Sequence, residues 1–341
     1  MIVDLRSDTF TKPTPKMRDV MAQAEVGDDV FGEDPTVNEL QEAVADLLGK
    51  EAGLFAASGT MGNQVAINAL TQPGQEVILD SNAHVFYYEA GAPALLSGVQ
   101  LRTVNGKNGI LTKEQIEGAI RAENVHFPPT SLICLENTHN RAGGTIFPIE
   151  EMRRIRKLAD EHNIQMHLDG ARLWNASVAT GVSLREYGKY FDSISVCFSK
   201  GLGAPVGSCV VGDRDFITRA HRYRKIYGGG MRQAGILAAG ALYAVRNHIP
   251  KLKEDHDNAK LLAEGVASLP GFTVDMKSVQ TNIVMIDMEE DTKRTANQVA
   301  EELKEKSVLV LAIGPYRIRA VTHLDVSRDD ILKAIDIFKT I

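Results

Sequence analysis

The sequence predicts an α/β fold with a mostly parallel central sheet flanked by helices, followed by a smaller α+β domain at the C terminus. Two runs of alternating apolar residues, 164–168 and 194–198, are typical of strands, and the stretch between them has room for a helix and a return connection. The chain of 341 residues also exceeds the ~250–300 at which a single core usually stops growing. We therefore expect two domains, at residues 15–250 and 251–341, with residues 1–14 as an arm associated with the second domain.

The remaining elements follow from the same periodicities. Thr36 and Glu39 form a capping box that starts an amphipathic helix, and Gly49 ends it. Helical spacing of apolar residues predicts further helices at 148–162, 231–248, 293–305 and 327–339. Short apolar or alternating runs predict strands at 54–57, 76–80, 132–135, 206–211, 281–286, 308–311 and 317–321.

Composition and charge exclude several classes of function. A formal charge of −6 and a pI near 5.9, without a dense basic run, disfavour a nucleic-acid or membrane-surface partner, and the four cations between 219 and 225 fit a solvated helix face. The three cysteines lie in apolar runs without Cys-x-x-Cys spacing, so we expect buried, reduced thiols. No signal-peptide or membrane-helix pattern occurs, which predicts a cytoplasmic protein. The nine histidines include no His-Glu-x-x-His motif, so no metal site is predicted.

The stretch 192–207 presents one lysine, Lys200, between an apolar strand and a glycine-rich turn that contains Gly201, Gly203 and Gly207. Glycine lets the backbone turn tightly and pass close to another group. The amine of a lysine at such a strand end can attack a carbonyl and form a Schiff base. Taken alone, Lys200 fits a loop lysine that points into water better than a reactive amine, because most lysines next to glycines are of that kind.

A second stretch favours the chemical interpretation, because it delivers Asp169 at the end of the preceding predicted strand. Ligands of open α/β sheets bind outside the carboxyl ends of the strands. Two neighbouring strands would therefore place a carboxylate and an amine in one crevice. Pyridoxal 5′-phosphate (PLP) needs this pair, a lysine for the Schiff base and an acid facing the pyridinium nitrogen.

Residues 58–63 predict a phosphate-binding site. This glycine-rich turn precedes a helix, and the free N–H groups and positive dipole at a helix N-terminus attract anions. The motif alone is weak and matches neither the nucleotide P-loop nor the dinucleotide fingerprint. Beside Lys200 and Asp169, the expected occupant is the cofactor phosphate, held by Gly59 and Thr60.

At this point the sequence resembles a known family, the low-specificity L-threonine aldolases, which are PLP enzymes of the aspartate-aminotransferase fold (fold type I). The match is carried by residues 4–9, 27–35, 58–63, 135–139, 167–172, 199–203, 228–233 and 319–327, which extend over nearly the whole chain. The resemblance implies cleavage of L-threonine, L-allo-threonine and other β-hydroxy-α-amino acids to glycine and an aldehyde, in a reversible reaction.

The resemblance also implies roles for individual residues. His84 matches the ring that stacks on the cofactor, and as a histidine near neutral pH it is the first choice for the catalytic base, with His126 as the second. Arginine binds a carboxylate in two places, which makes Arg319 and Arg172 the expected holders of the substrate carboxylate. Other residues with implied site roles are Ser7 and Phe31 for the substrate, and Ser199, Lys225 and Arg232 for the cofactor, which Arg172 is also expected to contact.

Two of these assignments carry further consequences. Phe31 stands where the family most often has tyrosine, so a role for that hydroxyl is in doubt here. The family's counterpart of Arg232 reaches the cofactor phosphate of an adjacent subunit, which implies a homo-oligomer, expected to be a tetramer built from dimers that share active sites. The periodicity of the sequence alone does not predict an oligomer.

Other functions remain open at this stage. An aminotransferase or a β-eliminating lyase shares the cofactor chemistry, and production of glycine with an aldehyde would separate the aldolase from both. A catalytically silent scaffold or amino-acid-binding module has no chemical need of Lys200. The sequence leaves open the preference between threonine and allo-threonine.

Overall fold

Residues 2–289 and 294–341 are described in a computed structural model. The strands are β1 Val3–Asp4, β2 Ala52–Ala56, β3 Glu76–Asp80, β4 Gln100–Val104, β5 Thr130–Glu136, β6 Gln165–Gly170, β7 Ser193–Cys197, β8 Ser208–Gly212, β9 Phe272–Thr273, β10 Ile283–Met288, β11 Val308–Leu309, β12 Leu311–Gly314 and β13 Arg317–Val321. The helices are α1 Pro15–Ala22, α2 Pro35–Leu48, α3 Gly59–Leu70, α4 His84–Tyr87, α5 Lys113–Glu117, α6 Ile149–Glu161, α7 Leu173–Thr180, α8 Leu184–Gly188, α9 Arg214–Ile226, α10 Gly235–Asn247, α11 Leu252–Ala267, α12 Ala296–Glu305 and α13 Arg328–Phe338.

The central sheet has the order β2-β8-β7-β6-β5-β3-β4 in the described part of the chain. Strands β7, β6, β5, β3 and β4 pair in parallel, whereas β8 runs antiparallel to both of its neighbours. Every residue of β3, β7 and β8 is buried, as expected for a sheet with helices on both faces. The predicted α/β class with a mostly parallel sheet is confirmed.

The described residues form two large apolar clusters. One contains core residues from Met17 to Leu252, and the other contains Val3, Leu5 and residues between Ala259 and Phe338. The second cluster surrounds the antiparallel sheet β12-β13-β10-β9, and β1 pairs with β11 beside it. We propose that these clusters are the cores of domains 15–250 and 251–341, with residues 1–14 as an arm on the second.

The predicted start of α2 was wrong. Asp34, not Thr36, is the N-cap, and its carboxylate accepts a hydrogen bond from the Val37 N–H at 3.0 Å. Pro35 occupies the first helical position, where its missing N–H costs nothing and its fixed φ suits a helix. The cap therefore falls one residue before the proline, and the Thr36 hydroxyl donates instead to the Glu25 carbonyl.

Other helix boundaries also differ from the predictions. The helix predicted at 148–162 is α6, the helix predicted at 231–248 begins only at Gly235, and the first residue of the helix predicted at 293–305 lies outside the described residues. The expected solvated face of α9 is partly wrong, because Arg224 is buried and its Nη2 lies 2.9 Å from Asp29 Oδ2. Cys134, Cys197 and Cys209 are buried and free, as expected.

Candidate active site

Lys200 lies in a tight turn that follows β7. Its carbonyl accepts hydrogen bonds from the Gly203 N–H at 2.8 Å and from the Thr11 hydroxyl at 2.9 Å. The end of β7 is fixed as well, since the indole N–H of Trp174 donates to the Cys197 carbonyl at 2.9 Å. Gly203 has a φ of 75°, a conformation that favours glycine. The backbone that carries the Lys200 amine is thus held from three elements.

Asp169 lies near the end of β6, the parallel neighbour of β7, and it is buried. Its Oδ1 accepts from the Ala171 N–H at 3.1 Å, and its Oδ2 accepts from Asn63 Nδ2 at 2.9 Å. Both oxygens therefore have fixed donors, which orients the carboxylate. Parallel strands end at one edge of a sheet, so Asp169 and Lys200 share the edge that the sequence predicted.

The N-terminus of α3 lies behind this edge. Ser58 caps the helix through the Met61 N–H at 3.1 Å, whereas the N–H groups of Gly59 and Thr60 have no partner within the described residues. A Cβ atom at Gly59 would lie 2.7 Å from the Cys197 sulfur, so only glycine fits between the helix and β7. These two free donors at a positive helix end suit an anion.

A cavity of about 520 Å³ opens at this edge, and Lys200 lines it. Of the predicted site residues, Ser7, His84, Arg172 and Arg319 line it with the lysine. The cavity wall also includes residues to which the sequence assigned no individual role, among them Thr9, Tyr88, Asn140, Arg141 and Arg317. The structure thus brings together residues from the arm, from the central sheet and from β13.

Four arginines line the cavity, and the two predicted carboxylate binders among them differ in their partners. Arg172 is buried against Asp8, with Nε 2.8 Å and Nη2 2.6 Å from the two carboxylate oxygens. Arg319 has only Nη2, at 3.0 Å, bonded to Asn140 Oδ1, and its buried Nε has no hydrogen-bond partner in the described part. Burial, followed by the charge of Arg172, lowers the pKa of Arg319 to about 10, so it remains a cation at neutral pH. Arg319 is therefore the guanidinium that is available to a carboxylate.

His84 begins α4, directly after the turn that follows β3. Its backbone N–H donates to Glu136 Oε2 at 2.7 Å, and its Nδ1 lies 2.9 Å from Glu89 Oε1. Burial would lower the pKa of His84, but the hydrogen bond to Glu89 and the charges of Asp169, Glu89 and Glu136 raise it above its ordinary value. His84 is thus a titratable group at the cavity wall whose pKa is raised by the acids around it.

Several predicted residues do not line this cavity. His126 is exposed in the loop before β5, at the amino end of that strand and so at the opposite edge of the sheet. Phe31 is 72% exposed, and its ring lies 5.9 Å from the guanidinium of Arg232, which bonds Asp28 at 2.9 Å. Lys225 is exposed in the last turn of α9. Ser199 lies beside Lys200 in the turn but outside the cavity wall.

Four polar residues that the sequence did not predict form hydrogen bonds with predicted site residues. Asp8 and Asn140 orient the arginines, while Asn63 and Glu89 hold Asp169 and His84. Asp8 and Asn63 lie inside motifs that were singled out, so a search for partners of the predicted charges in those motifs could have found them. No sequence signal marks Glu89.

The donor set fits PLP. Lys200 supplies the amine, the buried Asp169 supplies an acceptor for a pyridine N–H, and the free N–H groups of Gly59 and Thr60 suit a phosphate. A parallel α/β sheet that presents this combination at its carboxyl edge defines a PLP-dependent enzyme of fold type I.

Known proteins agree with this class. The Beta-eliminating lyase family model matches residues 4–291. A low-specificity L-threonine aldolase of Arabidopsis thaliana is 45% identical over 99% of this chain and 95% of its own length. The low specificity L-threonine aldolase of Escherichia coli is 44% identical over 97% of this chain and 96% of its own. The chain belongs to the low-specificity L-threonine aldolase family, within the beta-eliminating lyases.

Solved structures agree at the level of the fold. A threonine aldolase from Leishmania major superposes with a TM-score of 0.85 at 20% identity, with 99% of each chain covered. Among helices in the described ranges, none has the length and apolar character required to cross a bilayer.

The ion pair between Asp8 and Arg172 generates a stability prediction. Burial alone would raise the pKa of Asp8, but the Arg172 guanidinium lowers it well below its usual range. Replacing Asp8 by Asn leaves a buried guanidinium without its counter-charge, so we expect a loss of about 3–5 kcal/mol in the free energy of unfolding at pH 7. Denaturant titration of wild type and Asp8→Asn measures this difference.

The same pair predicts the pH dependence of that loss. A depressed folded-state pKa contributes stability that is fully present above the unfolded value of ~3.9 and declines as the pH falls below it. The deficit of Asp8→Asn should therefore be smaller at pH 3 than at pH 7. Asp287→Asn, which removes the exposed pair with Arg317, is the control and should cost at most ~1 kcal/mol. Equal deficits for both variants at pH 7 would contradict the prediction.

Proposed function

We propose that the protein cleaves L-threonine, L-allo-threonine and other β-hydroxy-α-amino acids to glycine and an aldehyde, reversibly and with PLP. The observation that carries this proposal is the arrangement of Arg319, Lys200 and His84 around one cavity. It combines a carboxylate binder, a Schiff-base lysine and a titratable base. The names of the relatives, low-specificity L-threonine aldolases at 44–45% identity, support it.

In the proposed mechanism, bound PLP supplies a carbonyl for amines and a ring that accepts electrons from Cα. Arg319 binds the substrate carboxylate through its free Nε and its fork, and Ser7 lies in the same wall. A fixed carboxylate fixes which Cα bond stands perpendicular to the ring. Arg172 is paired with Asp8, so it adds positive charge to the cavity wall and supports the carboxylate site without being its main ligand.

His84 is the proposed base for the substrate β-hydroxyl. With Nδ1 directed at Glu89, its Nε2 is the nitrogen that remains for the substrate. Removal of the hydroxyl proton lets the Cα–Cβ bond break and releases the aldehyde. We do not assign His126 this role within its own chain, because it lies at the opposite edge of the sheet.

A β-eliminating lyase is the second candidate, and the description of the matching family favours it. Elimination would use the same carboxylate site but would expel the β-hydroxyl rather than break Cα–Cβ. Threonine would then yield a 2-oxo acid and ammonia in place of glycine and acetaldehyde.

We also propose a homo-oligomer, a tetramer built from dimers, in which Phe31, Lys225 and Arg232 serve the cofactor site of a neighbouring chain. All three are exposed and none of them lines the cavity of its own chain, which supports this arrangement. The buried free cysteines fit a reducing compartment, so the cytoplasm is the proposed location.

The reaction is tested with PLP-loaded wild type and Lys200→Ala on L-threonine and L-allo-threonine, with glycine, acetaldehyde and 2-oxobutyrate assayed. We expect wild type to form glycine and acetaldehyde in equal amounts and the variant to form neither, because Lys200 provides the amine that anchors the cofactor and returns it after each turnover. The ratio of rates gives the stereochemical preference. Formation of 2-oxobutyrate alone would replace the aldolase by the lyase.

The carboxylate site is tested by Arg319→Gln. Loss of a charge-assisted, bidentate contact should lower kcat/KM for L-threonine about 30-fold, equivalent to ~2 kcal/mol, mainly through KM. Arg319→Lys keeps the charge without the planar fork, so its kcat/KM should lie between those of the wild type and Arg319→Gln. Arg317→Gln is the control for a second guanidinium of the cavity wall, since Arg317 lies two residues away on β13 but is already bonded to Asp287 at 2.5 and 2.8 Å. A loss as large in Arg317→Gln would contradict the assignment.

The shared site is tested by complementation between Lys200→Ala and Arg232→Ala, each expected to be impaired alone. If Arg232 acts across the interface, a mixed dimer contains one site with both changes and one with neither. Co-expression should then restore about a quarter of the wild-type sites. Pooling the purified variants without subunit exchange is the control. Absence of restoration after co-expression would place Arg232 in the site of its own chain or outside any site.

A further inference from the structure

Glu89 is a buried carboxylate beside His84 that has no role in the proposed mechanism. Its side chain has no solvent exposure. Oε1 accepts from Asn63 Nδ2 at 2.8 Å and lies 2.9 Å from His84 Nδ1, while Oε2 accepts from Gln64 Nε2 at 2.6 Å. Burying a carboxylate is costly unless donors satisfy it. Here the donors come from two adjacent residues of α3, Asn63 and Gln64, and from the candidate base, His84.

The contact with Glu89 determines the tautomer of His84. An ionised carboxylate only accepts hydrogen bonds, so the ring nitrogen that faces it must carry the proton. With the proton on Nδ1, a neutral His84 has its lone pair on Nε2. A base needs that lone pair toward the substrate hydroxyl.

Asn63 extends the contact to the cofactor side of the site. Its Nδ2 lies 2.8 Å from Glu89 Oε1 and 2.9 Å from Asp169 Oδ2, and its Oδ1 lies 3.1 Å from His167 Nε2. Burial lowers the pKa of His167 to about 4, so this ring is neutral; its Nδ1 lies 2.7 Å from the Ser193 hydroxyl. The orientation of the Asn63 amide is thus fixed, with its NH2 shared by the two carboxylates.

The same atoms could be taken for a metal site, because ligand atoms of His84, Glu89 and Asp169 lie within 4.8 Å of one another. However, the carboxylate oxygens that converge there already accept hydrogen bonds from Asn63 and Gln64. A hydrogen-bonded network explains the cluster.

We propose that Glu89 is a positioning residue of the cleavage reaction, which holds His84 as the Nδ1–H tautomer with Nε2 toward the substrate and links it through Asn63 to Asp169. The proposal rests on the proposed function and adds a residue to it. Glu89 touches neither substrate nor reacting atoms, and it acts through His84.

The proposal fixes the sign of a pH effect. The acids facing His84 are Glu89, Asp169 and Glu136, and the cations that share its cavity include Lys200 and Arg141. Because His84 acts as a base in its neutral form, activity rises with pH through its pKa. Removing the charge of Glu89 removes a group that favours the imidazolium, so the acid limb of the profile should move to lower pH.

The test uses Glu89→Gln, which keeps the shape and removes the charge. Gln64 Oε1 has no hydrogen-bond partner within the described residues, so a rotated Gln64 amide can accept from the new glutamine. The first measurement is 15N NMR of histidine side chains, on the protein with and without PLP. Wild type should show His84 as the Nδ1–H tautomer, and the variant should show a His84 pKa lower by at least about half a unit.

The second measurement is the pH profile of kcat/KM on L-threonine. The acid limb of Glu89→Gln should shift by the same amount as the NMR titration, with KM nearly unchanged. Glu89→Ala also removes the acceptor, so kcat should fall about 10- to 100-fold, within the contribution of a general base. Asp80→Asn is the matched control, because Asp80 lies 3.2 Å from His139 in another buried pair. It should shift the His139 titration and leave that of His84 in place.

Two failures are distinguishable. An Nε2–H tautomer of His84 in the wild type, or an unchanged His84 pKa in Glu89→Gln, would overturn the role of Glu89, whatever the enzyme makes. Absence of acetaldehyde from the wild type would overturn the proposed reaction, even if the His84 signals respond to Glu89. A fall in activity with unchanged His84 signals and a raised KM would assign Glu89 a structural role and reject the proposal.

Discussion

The buried ion pair between Asp8 and Arg172 is the interaction on which the site depends. Asp8 belongs to the N-terminal arm, Arg172 follows β6, and Asn282 at the start of β10 donates to the same carboxylate at 3.2 Å. One carboxylate thus joins three parts of the chain that are remote in sequence. Since a buried charge is tolerated only with its partner in place, this junction forms only when the arm, the sheet edge and the second cluster meet.

That junction explains why only one of the two predicted carboxylate binders, Arg319 and not Arg172, is available to a ligand. Arg172 is occupied by Asp8, and Asn140 Oδ1 accepts from Arg319 at 3.0 Å and lies 3.4 Å from Arg172 Nη1. The amide keeps the two cations side by side, although their charges repel. Among the described residues the buried Nε of Arg319 has no hydrogen-bond partner, a state that is costly in the free protein and that an anionic ligand would relieve.

Periodicity predicted the strands and their common edge because a parallel sheet covered on both faces needs apolar runs that end together. Motif spacing then predicted Lys200 and Asp169 at that edge, and family resemblance added His84 and Arg319. What the sequence could not predict are contacts between polar groups far apart in the chain, such as Glu89 with Asn63, since neither pattern nor spacing encodes them. The α2 cap was missed for a local reason, because Asp34 and Thr36 are both good caps and Pro35 decides between them.

The site also separates charge in a way that suits its chemistry. Arg319 and Arg172 provide positive charge for a carboxylate, whereas Glu89, Asp169 and Glu136 surround His84 with negative charge. A base surrounded by acids holds its abstracted proton more readily, and a carboxylate held by cations does not compete for that proton. The proposed orientation of the substrate and the proposed acceptance of its proton therefore depend on two oppositely charged groups of residues around one cavity, and Lys200 lies in the wall of that cavity.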